Sequence, residues 1–149
     1  VAAAPVEVRP AVAADSAALA VLGAELGYVA TPAATRCRLE AIGARTDQAL
    51  FVAADRSVGV VGWIHVFEAL RLESAPFAEI GGLVVAAASR GRGIGRALVA
   101  AAQEWGERRG MATLRVRSNV TRDGAREFYL RLGFAISKSQ AVFVRSLKG

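Results

Sequence analysis

Eight residues constrain the fold of this chain more than any others: Ser89-Arg90-Gly91-Arg92-Gly93-Ile94-Gly95-Arg96. Three glycines at alternate positions weaken both helix and strand and allow backbone conformations that other residues avoid, so the segment is a turn. Before it, Phe77–Val85 is an apolar run of strand length. After it, Ile94, Leu98, Ala101, Ala102 and Trp105 recur on one helical face until Gly110 stops the pattern. The joint is therefore strand, glycine turn, helix. Such a joint gathers backbone amides at a helix N-terminus, where an anion is stabilised.

The other elements arrange themselves around this joint. Val6, Val8 and Pro10 alternate as a short first strand; Asp15 or Ser16 then caps a helix carrying Leu19, Leu22 and Leu26, which Gly27 ends. Thr31 before Pro32 opens a second helix with Leu39 and Ile42 on its apolar stripe, closing near Gly43. Residues 49–54 and 58–70 predict an antiparallel hairpin turning at Asp55, Arg56 and Ser57. The paired Gly81 and Gly82 in the third strand predict a bulge or a close backbone approach. Residues 113–118 form a strand after the long helix, which implies a parallel pair joined by a crossover. Asp123 opens a last helix whose Ala125, Phe128, Tyr129 and Leu132 share a face before Gly133, and residues 134–147 predict one or two final strands. With no linker or repeat, residues 1–149 suit one domain of the α/β or α+β class with a mixed sheet.

Several function classes fall away. The longest apolar run, residues 81–88, is far short of the roughly 18 residues of a membrane helix, so no membrane association is expected. Residues 1–6 have neither the basic start nor the apolar core of a signal peptide, and a cytoplasmic location is expected. A lone Cys37 with a lone His65 supports neither a disulfide nor a structural zinc site, and no metal is expected. The net charge of +6 is uneven: residues 90–149 hold 13 Lys or Arg against 4 acids, whereas residues 1–89 hold 6 against 9. An anion is expected to meet the second half. Nucleic acid is one such partner for a basic domain, but no homeodomain, zinc-finger or RNP motif is present, and none is expected to bind.

The glycine turn matches neither a P-loop, which needs a Lys after its last glycine, nor the dinucleotide fingerprint, whose sixth position would be Arg96 or Leu98. It does fit R-x-x-G-x-G from Arg90 to Gly95. Some 20 residues on, Asn119, Ala125, Phe128, Tyr129, Gly133 and Phe134 fit N-x(5)-A-x-x-F-Y-x-x-x-G-F. With both motifs in this order, the sequence resembles the GNAT superfamily of acyl-CoA N-acyltransferases over residues 58–134.

That resemblance implies a GNAT-like domain: a mixed, mostly antiparallel sheet with a splayed parallel pair at the cofactor cleft and about four helices. It implies acetyl-CoA as cosubstrate, its pyrophosphate on the segment Arg90, Gly91, Arg92, Gly93, Ile94, Gly95 and Arg96, and its pantetheine arm along the backbone of Leu83, Val84 and Val85. Asn119 would hydrogen-bond the cofactor. Tyr129 would protonate the departing thiolate, although its place on the apolar helix face also suits a core aromatic. Glu79 matches a carboxylate position used as a base, with Glu73, Glu68 and His65 as competitors; His65 shares a strand face with Trp63 and Phe67 and suits a packed histidine equally. The implied reaction is direct attack on the thioester by a primary amine of a small molecule, and the −3 balance of residues 1–89 favours a cationic acceptor. A non-catalytic acyl-CoA-binding regulatory module, a longer acyl group, a protein N-terminus or lysine as acceptor, and a homodimer all remain compatible with the sequence.

Overall fold

The period-two segments become a five-stranded sheet in the order β1-β2-β3-β4-β5, formed by β1 (Val6–Pro10), β2 (Gln48–Asp55), β3 (Gly59–Ala69), β4 (Phe77–Val85) and β5 (Leu114–Val116). The first four strands pair antiparallel in sequence order and β5 joins β4 in parallel. This computed structural model describes residues 5–118 and 123–148, and the chain divides into two units, 1–117 and 118–149. The first holds the whole sheet and the helices α1 (Ser16–Glu25), α2 (Pro32–Gly43) and α3 (Ile94–Arg108); the second holds α4 (Asp123–Arg131).

Helix starts follow their local signals. Thr31 Oγ1 accepts from Ala34 N at 3.0 Å with Pro32 in the first helical position, the N-cap geometry expected of Thr-Pro. Asp15 acts one turn earlier than expected: its carboxylate accepts from Val12 N at 2.8 Å and from both Arg9 guanidinium nitrogens, fixing a 3-10 turn that leads into α1 and tying it to β1.

Successive strand residues point to opposite faces, so the complete burial of both Val52 and Ala53 shows that helices cover the sheet on both sides. On one face Leu19 of α1 and Leu39 of α2 pack with Val52, against Leu50, Val60 and Trp63. On the other, α3 buries Ile94, Leu98, Val99, Ala102 and Gly106. A Cβ on Gly62 would lie 2.9 Å from Val84 O and 3.1 Å from Leu98 Cδ1, so the missing side chain is what lets α3 sit down on β3.

In the second unit, α4 ends where expected, with Gly133 at φ +92° after it. The final strands expected over 134–147 are not formed: residues 134–148 contain neither helix nor strand. The β-branched and aromatic run Val142, Phe143, Val144 has strand propensity, but a strand exists only through a ladder partner, and this run has none among the described residues.

Gly62→Ala is expected to destabilise the protein by about 1–3 kcal/mol, because the new methyl meets a backbone carbonyl that cannot rotate away. Gly43→Ala, at an exposed helical position with nothing within 4 Å, is expected to stabilise it by about 0.5–1 kcal/mol. Urea unfolding of the two variants beside the wild type checks both signs.

Candidate active site

Strand β4 carries a bulge. His65 faces Gly82 and Val66 faces Ile80, which leaves Gly81 as the extra residue. Its cause is steric. A Cβ on Gly82 would lie 2.7 Å from the Trp63 ring, and one on Gly81 would lie 2.9 Å from His65 Nδ1 and 3.2 Å from Phe67. Two consecutive residues thus turn the same way, toward three ring-bearing side chains, and only glycine fits at either.

The bulge also marks where the parallel pair ends. Ala78, Glu79 and Ile80 pair with Leu114, Arg115 and Val116, and beyond Ile80 the remaining residues, 81–85, have β3 on one side and no ladder partner on the other among the described residues. This is the splay that the resemblance implies. The open edge contains Leu83, Val84 and Val85 and spans about 16 Å at the rise of a strand. It leads directly into the glycine turn.

In that turn Gly91 and Gly93 hold φ of +81° and +77°, left-handed conformations that suit glycine alone, with nothing within 4 Å of either absent Cβ. Gly93 is the N-cap of α3 and contributes no side chain to it, so the first-turn amides of the helix have no N-cap side chain to bond. A helix N-terminus of this kind is a place where an anion is stabilised. Arg90 and Arg96 are exposed beside it. Arg92 is committed differently: its Nη1 donates to Asp55 Oδ2 at 2.8 Å, while Asp55 Oδ1 accepts from Ser57 N at 2.7 Å. The Asp55 side chain is only 4% exposed. One carboxylate therefore pins the glycine turn to the β2–β3 turn, and the Arg92 guanidinium, followed by the Ser57 amide, holds the Asp55 carboxyl below its ordinary range. Across the loop entrance, Glu25 Oε2 accepts from Ala87 N at 3.1 Å, joining the end of α1 to the exit of β4.

The expected acid–base groups separate. Glu79 is buried on the face of Phe77 and Gly81, where its Oε1 accepts from Arg115 Nε at 2.6 Å and lies 3.7 Å from Arg117 Nε. Arg115 also stacks over Phe77, 4.3 Å from the ring centroid. His65 lies on the same face: its Nε2 and Gln48 Oε1 are hydrogen-bonded at 2.8 Å, its ring is 5.7 Å from that of Phe67, and burial holds it below its ordinary pKa. Glu68 is paired with Arg109, next to the end of α3, and Glu73 stands exposed in the β3–β4 loop. Two buried donors in this region, Trp63 Nε1 and Arg115 Nη2, have no hydrogen-bond partner among the described residues.

In the second unit, Tyr129 stands between Phe128 and Phe134 in edge contacts with centroids 5.1 and 5.4 Å away, and burial raises its phenol above the ordinary value. Asn119 lies outside the described residues. The sequence reasoning did not single out Asp55, Gln48 or Arg115 as site residues. Asp55 carried only a turn signal, and the positions facing Gln48 and Arg115 follow from strand register.

The acetyltransferase (GNAT) family model matches residues 23–134. An uncharacterised N-acetyltransferase of Methanocaldococcus jannaschii is 36% identical over 98 residues, covering 66% of this chain and 39% of the relative; the chain thus spans about two-fifths of that protein's length. Among solved structures, a transcriptional regulator from Bacillus halodurans C-125 superposes with a TM-score of 0.85 at 24% identity, over 95% of this chain and 100% of the other. The aminoglycoside N-acetyltransferase AAC(6')-Iy, in complex with CoA, superposes at 0.84 with 20% identity, over 98% and 97%. A 6'-N-acetyltransferase from Acinetobacter baumannii reaches 0.84 at 12%, over 96% and 99%. At these identities the structural matches establish the shared fold.

Asp55→Asn is expected to lower the unfolding midpoint at pH 7. The Asp55 carboxyl is depressed in the folded state, so its contribution is complete above the unfolded carboxylate range and is lost as pH falls through the folded value. The gap between wild type and variant should therefore close on acidification, as thermal melts between pH 7 and pH 3 would register.

Proposed function

Because the chain belongs to the GNAT family of acetyltransferases, we propose that it transfers the acetyl group of acetyl-CoA to a primary amine of a small molecule by direct attack. The observation that carries this reading is the open β4 edge, residues 81–85, running into a glycine turn that gives α3 no capping side chain. The outward backbone groups of Leu83 and Val85 suit the amides of a pantetheine arm, which would lie along Leu83, Val84 and Val85 as an extra strand. The turn's amides, with Arg90 and Arg96 beside them, suit its diphosphate. Acetyl-CoA supplies the activated acetyl thioester.

The acceptor amine approaches the other side of the bulge, where Glu79 and His65 share a face, and one of them receives the proton the amine must lose. Tyr129 is the proposed hydrogen-bond donor to the departing thiolate. Its raised pKa keeps the phenol protonated and able to donate. With no activated nucleophile beside a base, transfer needs no acyl-enzyme. A small-molecule acceptor agrees with the aminoglycoside acetyltransferases among the structural neighbours. A cytoplasmic location and one functional domain over residues 1–149 complete the proposal.

Isothermal titration with coenzyme A tests the anion site: Arg90→Glu should weaken binding by about tenfold or more, with added salt weakening the wild type in parallel. Unchanged affinity would remove the glycine turn from the binding site. In steady-state assays of CoA release, Tyr129→Phe should reduce kcat by about 10- to 100-fold and leave the acetyl-CoA KM near the wild-type value, because the hydroxyl acts in the transition state. A fully active Phe variant would return Tyr129 to a packing role.

A further inference from the structure

The glycine turn has little of its own to hold it. Gly91 and Gly93 keep left-handed φ with open space where a Cβ would stand, and ordering a glycine costs more conformational entropy than ordering any other residue. Residues 90–93 are exposed, and the backbone bond that enters the turn, Arg90 N to Ala87 O, is 3.5 Å long. Buried Ser89 and Ile94 anchor the two ends. Between them, Arg92 reaches 37 positions back along the chain to Asp55.

The far end of that tether is rigid. Asp55 closes β2 and is paired on both sides, with Val6 of β1 and Gly59 of β3. Its side chain is buried, and Oδ1 accepts from Ser57 N at 2.7 Å in an Asx turn, which leaves Oδ2 to accept from Arg92 Nη1 at 2.8 Å. A carboxylate fixed in this way does not follow the loop, so the loop is held where the carboxylate stands.

Resting on the acetyltransferase reading above, we propose that Asp55 is a positioning residue for the diphosphate of coenzyme A: through Arg92 it holds the glycine turn in its receptive conformation, and Arg92 serves this carboxylate rather than the phosphates. By charge alone Asp55 opposes an anionic ligand of the turn to which it is tied. Its benefit is geometric. A loop already held in its bound conformation spares the ligand the cost of ordering it, and affinity rises accordingly. The charge that attracts the diphosphate then falls to Arg90 and Arg96, which are exposed beside the turn.

Isothermal titration with coenzyme A and with pantetheine, which keeps the arm and lacks the diphosphate, tests this on the wild type, Asp55→Asn, and Asp55→Asn combined with Arg92→Gln. Asp55→Asn should weaken coenzyme A by about tenfold and lower the ratio of coenzyme A to pantetheine affinity, which a general loss of stability would not do. The double variant keeps the net charge of the wild type. It should bind coenzyme A no worse than Asp55→Asn and retain the wild-type dependence on salt, because both changes remove the same contact. It also leaves no unpaired charge at a buried position, so it decides the matter if Asp55→Asn does not fold: wild-type affinity in the double variant overturns the proposal. Equal or tighter binding by Asp55→Asn, the outcome that charge alone dictates, overturns it too. So does a further loss on adding Arg92→Gln with a flatter salt dependence, which would make Arg92 a phosphate ligand. These three outcomes leave the acetyltransferase reading intact, whereas a wild type that binds neither coenzyme A nor pantetheine overturns both.

Discussion

Two glycines facing three ring-bearing side chains control the architecture of the first unit. Trp63, His65 and Phe67 project from β3 toward β4, and the space they occupy excludes a Cβ at residues 81 and 82. The strand answers with a bulge, which bends it and increases its twist immediately after the last residue paired with β5. Past that point the two parallel strands no longer share a ladder. The backbone groups on the freed edge have no ladder partner among the described residues, although such groups ordinarily find one. Packing in the sheet thus opens this edge.

Electrostatics then fixes the neighbouring parts. The acidic first half and the basic second half of the chain are joined by Asp55–Arg92, Glu68–Arg109 and Glu79–Arg115. Three of the arginines whose number implies an anionic ligand are thus engaged with carboxylates of the same chain. The same pairing consumes much of the negative charge that would steer a cationic acceptor. What remains at the start of α3 is more local: a helix N-terminus without a capping side chain, with Arg90 and Arg96 exposed beside it. Asp55 contributes by holding the turn in place.

How much of this was legible in the sequence varies by kind of signal. The Thr31-Pro32 helix start, the Asp55 turn, the Gly81-Gly82 bulge and the glycine turn before α3 were all readable, because each depends on residues within a few positions of one another. Residues 134–147 show the opposite case. Val142, Phe143 and Val144 have the propensity of a strand, yet propensity is realised only when another strand offers a ladder. The family resemblance makes Glu79 a candidate base, but its arginine partners are invisible in the sequence, since Arg115 meets it only through the β4–β5 register.

The sequence by itself determined the order of elements, the strand–glycine turn–helix joint and the motifs that identify the family, all of which follow from local conformational preference and hydrophobic period. Only the tertiary structure decided which polar groups are engaged and which are available. Gln48 with His65, Glu79 with Arg115, and Asp55 with Arg92 are separated by 17, 36 and 37 positions. Their meeting is set by strand register and by the seating of α3, and a one-residue slip in its strand would send Gln48, His65, Glu79 or Arg115 to the opposite face. His65 and Phe67 can lie over β4 because the bulge places a glycine beneath them, and only the register of β3 on β4 decides which residue that is.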